Sequence, residues 1–325
     1  MRAIRVHETG GPEVLTLDEL PDPSPGPGEL LIDVEAIGVN FIEIYQREGA
    51  YPTPRPFMLG AEAAGVVRSV GTNAHGLKPG DRVVSQRVKG AYADCAIVPA
   101  EFAVQIPDGV TSKQAAAVCL QGLTAHYLTT STFPIAPGMT VLVHAAAGGV
   151  GLLLCQMAKK RGAFVIGTAS TEEKRKLAHA AGADEMIDYT TQDFAAATKR
   201  LTGNTGVHVV YDSVGKTTFD KSLDSLRRRG MMALFGQSSG AVPPLDPQIL
   251  NRKGSLFLTR PTLNDYVATR EELLARMNEV LGWVRSGQLS VRVGAEFPLS
   301  KAADAHRALA SRQTTGKVLL IPGHG

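Results

Sequence analysis

Ala146-x-Gly148-x-x-Gly151, within TVLVHAAAGGVGLLLCQMAKKR (Thr140–Arg161), is the spacing in this chain that most directly implies chemistry. It is a dinucleotide-binding fingerprint with alanine in place of the first glycine. Glycine at 148 lets the backbone approach a pyrophosphate closely, and glycine at 151 lets the following helix pack tightly on a sheet. The backbone of Gly148, Gly149 and Val150 then lies where free N–H groups and the positive end of a helix dipole converge on phosphate oxygens. The flanking segments supply the required context. Thr140–His144 is β-branched and apolar and reads as a buried strand, and an apolar-periodic helix runs on to Arg161.

In such folds an acidic side chain about 20 residues beyond the glycines accepts the ribose hydroxyls of NAD. Here the strand Phe164–Thr168 runs into Thr168-Ala169-Ser170-Thr171 with no carboxylate, and Lys174 follows in the first turn of the next helix. Hydroxyls, a helix N-terminus and a cation suit a 2′-phosphate, so the pattern points to NADPH, with Ser170 and Lys174 as contacts. The same residues also read as a capping box, Ser170-x-x-Glu173, beside a solvated lysine, and one place can serve both purposes. Glu172 and Glu173 count against a phosphate, which they would repel.

Other chemistries lack their parts. No GxSxG motif, nucleophile–base pair or carboxylate dyad is present. The eight histidines lie far apart without ligand spacing, and His144, ending a buried strand, reads as a satisfied core histidine. Cys95, Cys119 and Cys155 are too few and too scattered for a disulfide framework; each reads as a small buried side chain in a reducing cytoplasm.

The composition is that of a globular protein, with 44% hydrophobic and 20% charged residues, and 325 residues suffice for two domains. A formal net charge of +3 is too small to argue for nucleic acid or an anionic membrane as partner. The densest basic run, Arg227–Arg229, reads as the end of a helix just before Gly230, where cations favour the dipole. The amino-terminal MRAIRVHETGG has no apolar stretch of signal-peptide length, and no run approaches the roughly 18 apolar residues that span a bilayer.

Positioning elements follow from turn punctuation. Residues 1–120 read as short strands (Ala3–His7, Leu30–Ile37, Ala64–Val70, Arg82–Gln86, Ala93–Val98) between Pro/Gly turns, hence a mostly β domain. Thr111–Thr130 is an alanine-rich helical stretch with Thr111 as its cap. Strands and helices then alternate. The strands are Thr140–His144, Phe164–Thr168, Glu185–Ile187, His208–Tyr211, Met231–Phe235 and Ser255–Thr259, with helices ending at Gly162, Gly182, Gly203 and Gly230. That alternation predicts a parallel, doubly wound sheet. The tail holds a long amphipathic helix (Asp265–Arg285), a shorter one (Lys301–Ser311) and a last strand (Lys317–Ile321), and is expected to pack back onto the first domain.

The strings AIGVNFIEIYQREGAYP, GAEAAGVV, KPGDRVV, HAAAGGVG, VVYDSVG, RRRGMMALFGQSSG, KGSLFLTRP and GKVLLIP resemble, in order and over nearly the whole chain, the quinone oxidoreductases. These are the zinc-free, zeta-crystallin-like branch of the medium-chain dehydrogenase/reductase superfamily. The resemblance implies an α/β chain in which a GroES-like, mostly-β catalytic domain is joined to a Rossmann domain with a doubly wound parallel sheet. Its expected limits are 1–122, 123–262 and a C-terminal return over 263–325. It also implies NADPH-dependent reduction of a small quinone, and a homodimer, for which the apolar strand Ser255–Thr259 is a candidate edge.

Zinc-dependent relatives carry cysteine where this chain has Asn40 and histidine where it has Ala61 or Ala63, leaving only Glu62; a four-cysteine lobe is reduced to Cys95. Catalytic zinc needs three side-chain ligands and structural zinc four, so no metal is expected. A quinone ring is itself an electron acceptor, and the protein has mainly to orient it and exclude water. By matching motifs, Asn40, Tyr45, Tyr51 and Arg260 are the catalytic candidates, Asn40 through its amide and the tyrosines by donating or stacking. Each also has an ordinary reading, as turn asparagine, core-edge tyrosine or surface arginine. Relatives often carry aspartate at Glu43, which leaves its role open.

The same matching assigns further cofactor contacts. Thr124 and Tyr127 are expected near the nicotinamide and its ribose, and Tyr189 beside the adenosine phosphate. Ser213 and Phe235, Gly236, Gln237 and Ser238 end Rossmann strands, and Phe257 and Lys317 belong to strings that line the cleft. Two other activities share these features: an enone or enoyl-thioester (C=C) reductase, and a non-catalytic NADPH-binding structural or RNA-binding protein. A zinc alcohol dehydrogenase lacks its ligands.

Overall fold

In the computed structural model, which describes residues 1–323, the chain forms two compact units. Met1–Gln121 and the chain from Thr269 onward make one, and Gly122–Ala268 the other. The first unit is organised by the strand Glu29–Val39, buried almost throughout because both its edges are paired. Ala63–Val70 lies antiparallel along one edge. Cys95–Pro99 covers the first half of the other edge and Lys317–Ile321 the second. Arg82–Ser85 and Val104–Gln105 continue the sheet on one side, and Val293–Pro298 closes it on the other. A smaller sheet joins Leu15–Glu19, Arg2–Val6 and Phe57–Met58. The core, including Ile32, Val34, Ile37, Val67, Val83, Leu299 and Leu320, draws on both ends of the chain.

The second unit is a six-stranded parallel sheet. Its strand order is Glu185–Asp188, Phe164–Ala169, Thr140–Val143, Val207–Asp212, Leu226–Leu234, Phe257–Thr259. The first strand in sequence, Thr140–Val143, is central, and the chain winds outward from it in both directions, as strand–helix alternation requires. Gly162, Gly182 and Gly203 close helices with φ of 81°, 103° and 57°.

Several expectations need correction. The helix before Gly230 ends at Ser225, so Arg227–Arg229 lie in the strand Leu226–Leu234, in an irregular stretch between its pairs Leu226–Val207 and Met231–Val209, with Arg229 left-handed (φ 58°). Asp265–Arg285 is two helices, Leu263–Tyr266 and Arg270–Arg285, because the Thr269 hydroxyl accepts the Glu272 N–H at 3.2 Å and restarts the chain. The strands Leu15–Glu19 and Val293–Pro298 have no continuous apolar run to mark them, since both are half exposed. Thr111 does cap the helix Ser112–Tyr127, and reciprocally, its N–H donating to Gln114 Oε1 at 2.9 Å. Ser170 is not a cap: the helix Glu172–Ala180 is capped by Thr171, whose Oγ1 accepts the Lys174 N–H.

Candidate active site

In the first unit the helix Phe41–Arg47 carries Tyr45 and is pinned at both ends. At its start, the Asn40 N–H donates to Glu43 Oε2 at 2.7 Å, which makes Asn40-x-x-Glu43 a capping box and gives Glu43 a structural role. The Asn40 side chain is equally engaged. Its Oδ1 accepts from Lys317 Nζ at 2.7 Å, and its Nδ2 donates to Gly38 O at 3.3 Å and Glu62 Oε2 at 3.1 Å. The ammonium can only donate, so the orientation of the Asn40 amide is determined. Lys317 Nζ also donates to Glu62 Oε2 at 2.5 Å, and Glu62 Oε1 accepts the Leu120 N–H. Asn40, Glu43, Glu62 and Lys317 are 7%, 0%, 0% and 1% exposed. Burial pushes the Glu43 carboxyl up to about 7; the Lys317 charge opposes that rise and the Glu62 charge adds to it.

At the helix end, Arg47 donates through Nε to Gly10 O at 3.0 Å and through Nη1 to His306 Nδ1 at 3.2 Å. Burial, reinforced by the Arg47 charge, pushes His306 down to about 3, so it accepts as a neutral ring. Between these anchors the Tyr45 ring lies 6.1 Å from that of Tyr51 and 6.2 Å from that of Phe41. Tyr51 is 43% exposed.

Two sequence expectations change here. Asn40 presents no spare amide hydrogen, since both are used inside the network. Lys317 does not reach toward a cofactor: its ammonium is the buried counter-charge of Glu62. In the sequence Glu62 stands out only as the acid left where zinc ligands are missing, and nothing in GKVLLIP marks its lysine as buried. The Asn-x-x-Glu pattern of the capping box was the one local signal available.

In the second unit the strand Thr140–Val143 delivers a turn in which Ala145 is left-handed (φ 49°) and Gly148 caps the helix Gly149–Lys160. A Cβ at Gly151 would run into the Ala145 carbonyl and stand 2.8 Å from Ala146 Cα, so only glycine allows this close packing. Ser170, Lys174 and Tyr189 follow the next two strands outward, Tyr189 being 47% exposed. The Phe235–Ser238 loop is laid against Ser213: the Phe235 N–H donates to Asp212 O at 2.9 Å and the Ser238 N–H to Ser213 O at 3.1 Å. These residues share the carboxyl edge of the sheet, where such folds bind ligands. Arg260 leaves that same edge after Thr259, with Nη1 toward Pro261 O.

Phe257 does not join them. It starts the outermost strand, level with Met231, and is 57% exposed on the sheet margin. Thr124 is buried, and the Tyr127 ring is stacked on Tyr266 at 4.2 Å and 10°. Tyr266 had no sequence signal.

Two family models match the chain, an alcohol dehydrogenase GroES-like domain over residues 26–108 and a zinc-binding dehydrogenase over residues 149–279. Quinone oxidoreductase 1 of Escherichia coli K12 is 47% identical over 323 residues, covering 98% of this chain and 99% of its own. The chain belongs to the quinone oxidoreductases of the medium-chain dehydrogenase/reductase superfamily. Its two units are accordingly a GroES-like unit and a Rossmann unit, and it is an oxidoreductase. A mycobacterial structure described as complexed with NADPH superposes with a TM-score of 0.96 at 52% identity, covering 99% of this chain and 100% of that one. A 2-haloacrylate reductase of a Burkholderia species is 41% identical over 326 residues, covering 98% of each chain.

Other medium-chain members use zinc, and the side chains here do not suit it. Among the described residues no group of three or more His, Cys, Asp or Glu could hold a metal ion. Beside Asn40 and Glu62 stands a lysine ammonium, which is a cation already and not a ligand. NADPH suits the Rossmann unit better, with a glycine turn that a Cβ would fill and a strand end, Thr168–Thr171, that carries hydroxyls where NAD-binding folds place an acid.

Proposed function

We propose that this quinone oxidoreductase family member reduces quinones at the expense of NADPH without a metal. The observation that carries the reading is the phosphate-binding turn at Gly148–Gly151, followed by a strand end that offers Ser170 and Lys174 in place of an acid. Gly148, Gly149 and Val150 would hold the pyrophosphate, and Ser170, Lys174 and Tyr189 the adenosine end. The Ser213 and Phe235–Ser238 loops would line the carboxyl edge between them. Bound there, NADPH supplies a hydride.

The rest is the work of the chain's own groups. In the GroES-like unit, Tyr45 and Tyr51 offer aromatic faces and hydroxyls to a flat acceptor; in the Rossmann unit, Arg260 offers a positive charge at the carboxyl edge of the sheet. Asn40, fully engaged, holds the start of the tyrosine-bearing helix. The chain is read as a cytoplasmic homodimer, the strand Phe257–Thr259 and its exposed Phe257 providing an unpaired edge for a second copy. No helix among the described residues is long and apolar enough to cross a membrane.

A second reading, reduction of an activated C=C bond, is favoured by the 2-haloacrylate reductase among the relatives. Steady-state oxidation of NADPH and NADH against quinones, enones and alcohols tests both. Turnover of quinones with NADPH preferred supports the first reading. Turnover of enones alone replaces it with the second, and preference for NADH overturns the cofactor assignment.

A further inference from the structure

His144 directly follows the central Rossmann strand and is 2% exposed, yet both ring nitrogens have partners from different elements. Nε2 lies 2.9 Å from Ser222 Oγ on the helix Phe219–Ser225, and Nδ1 lies 3.0 Å from Thr168 Oγ1 near the end of the neighbouring strand. Ser222 Oγ in turn lies 3.0 Å from Asp212 Oδ2, at the end of the strand on the other side. Asp212 is 0% exposed; its Oδ1 accepts the N–H groups of Val214 and Gly215, and its Oδ2 also accepts from Thr218 Oγ1.

The direction of the chain follows from counting hydrogens. Ser222 has one to give, and a buried carboxylate is the stronger acceptor, so it goes to Asp212. His144 must then donate to Ser222 through Nε2–H, which leaves Nδ1 bare to accept the Thr168 hydroxyl. The reverse arrangement strands the Thr168 hydrogen and takes one donor from Asp212. Burial pushes the His144 pKa down, the Asp212 charge opposing, which agrees with a neutral ring.

The chain crosses the carboxyl ends of three strands directly beneath the turn. Ala145, next to His144, is the left-handed residue that opens it. The Ala146 N–H donates to Thr168 O at 3.0 Å, and the His144 N–H to Tyr211 O at 3.1 Å. A non-glycine residue held at positive φ needs its neighbours fixed.

We propose that Asp212, Ser222, His144 and Thr168 form a directional hydrogen-bond chain that positions the phosphate-binding turn, with His144 as a positioning residue for NADPH. The inference rests on the NADPH reading above. It differs from a packing role in depending on a hydroxyl rather than a volume at position 168.

Thr168→Val keeps the volume and loses the hydroxyl, whereas Thr168→Ser keeps the hydroxyl and loses a methyl. NADPH dissociation constants, titrated without acceptor, are expected to rise about ten-fold in T168V and less than about two-fold in T168S. S222A, which breaks the chain on the other side, weakens NADPH as T168V does. Nitrogen-15 spectra of the histidine rings, with His144→Gln to locate the signal, should show a neutral Nε2–H tautomer across neutral pH. T168V binding like wild type, T168S as weak as T168V, or an Nδ1–H tautomer would each overturn the proposal. Wild-type protein that binds no NADPH overturns the cofactor reading itself.

Discussion

Lys317 places its ammonium 2.7 Å from the side-chain oxygen of Asn40, a residue 277 positions away in sequence. Together with Glu62 the pair makes a buried ion cluster at the start of the helix that carries Tyr45. The last strand of the chain therefore braces the residues proposed to meet the acceptor.

Removing one member of this cluster leaves the other charge stranded. Lys317→Met is expected to destabilise the protein by about 3–5 kcal/mol, the range for a buried charge that loses its partner. The double variant with Glu62→Gln should recover part of that loss. Denaturant unfolding of the four proteins of the cycle measures the coupling, and strictly additive effects would show that the ion pair contributes nothing specific.

Glu43 makes stability depend on pH. Its carboxyl is raised to about 7 in the folded protein, chiefly by burial, from an ordinary value near 4.5. The folded state therefore holds a proton that the unfolded state has released, and stability falls as pH rises from about 4.5 to about 7. The shift corresponds to roughly 3 kcal/mol across that window. The difference in unfolding free energy between wild type and Glu43→Gln, measured against pH, should slope in that direction; a flat difference refutes the assignment.

The two glycines of the turn have different duties. Gly151→Ala drives a Cβ into the backbone of Ala145 and Ala146 and is expected to destabilise by about 1–3 kcal/mol or more. At Gly148 a Cβ meets only the Ala145 carbonyl, at 3.1 Å, with φ at −74°. Gly148→Ala should keep the melting temperature and weaken NADPH. Thermal melts and cofactor titrations of both variants separate the effects, and equal melting temperatures would contradict the packing role of Gly151.

Lys174 should distinguish the two nicotinamide cofactors. Lys174→Ala is expected to weaken NADPH by a factor of about ten, the loss of one charge-assisted contact, and to leave NADH almost unchanged. Parallel titrations decide it; equal losses for both cofactors would remove the lysine from the 2′-phosphate.

Local chemistry was legible in the chain. The strand–turn–helix of the cofactor cradle, the absence of an acid after Thr168 and the Thr111-x-x-Gln114 cap each lie within a few residues, where steric and hydrogen-bonding rules act without the rest of the fold. Neighbouring rules could also mislead by one position, as where Thr171 rather than Ser170 caps a helix, because adjacent hydroxyls compete on backbone angles the sequence does not display. Arg227–Arg229 read locally as a helix end, yet they lie in a strand bulge, because the flanking Leu226 and Met231 pair with the neighbouring strand.

What only the tertiary structure decided are the partners of buried polar groups. That Lys317 neutralises Glu62, that Asn40 is fully engaged, that Tyr127 is covered by Tyr266, and that His144 links Thr168 to Asp212 through Ser222 all join residues far apart in sequence. A charge or hydroxyl taken out of water must find a complement, and strand pairing determines which one reaches it.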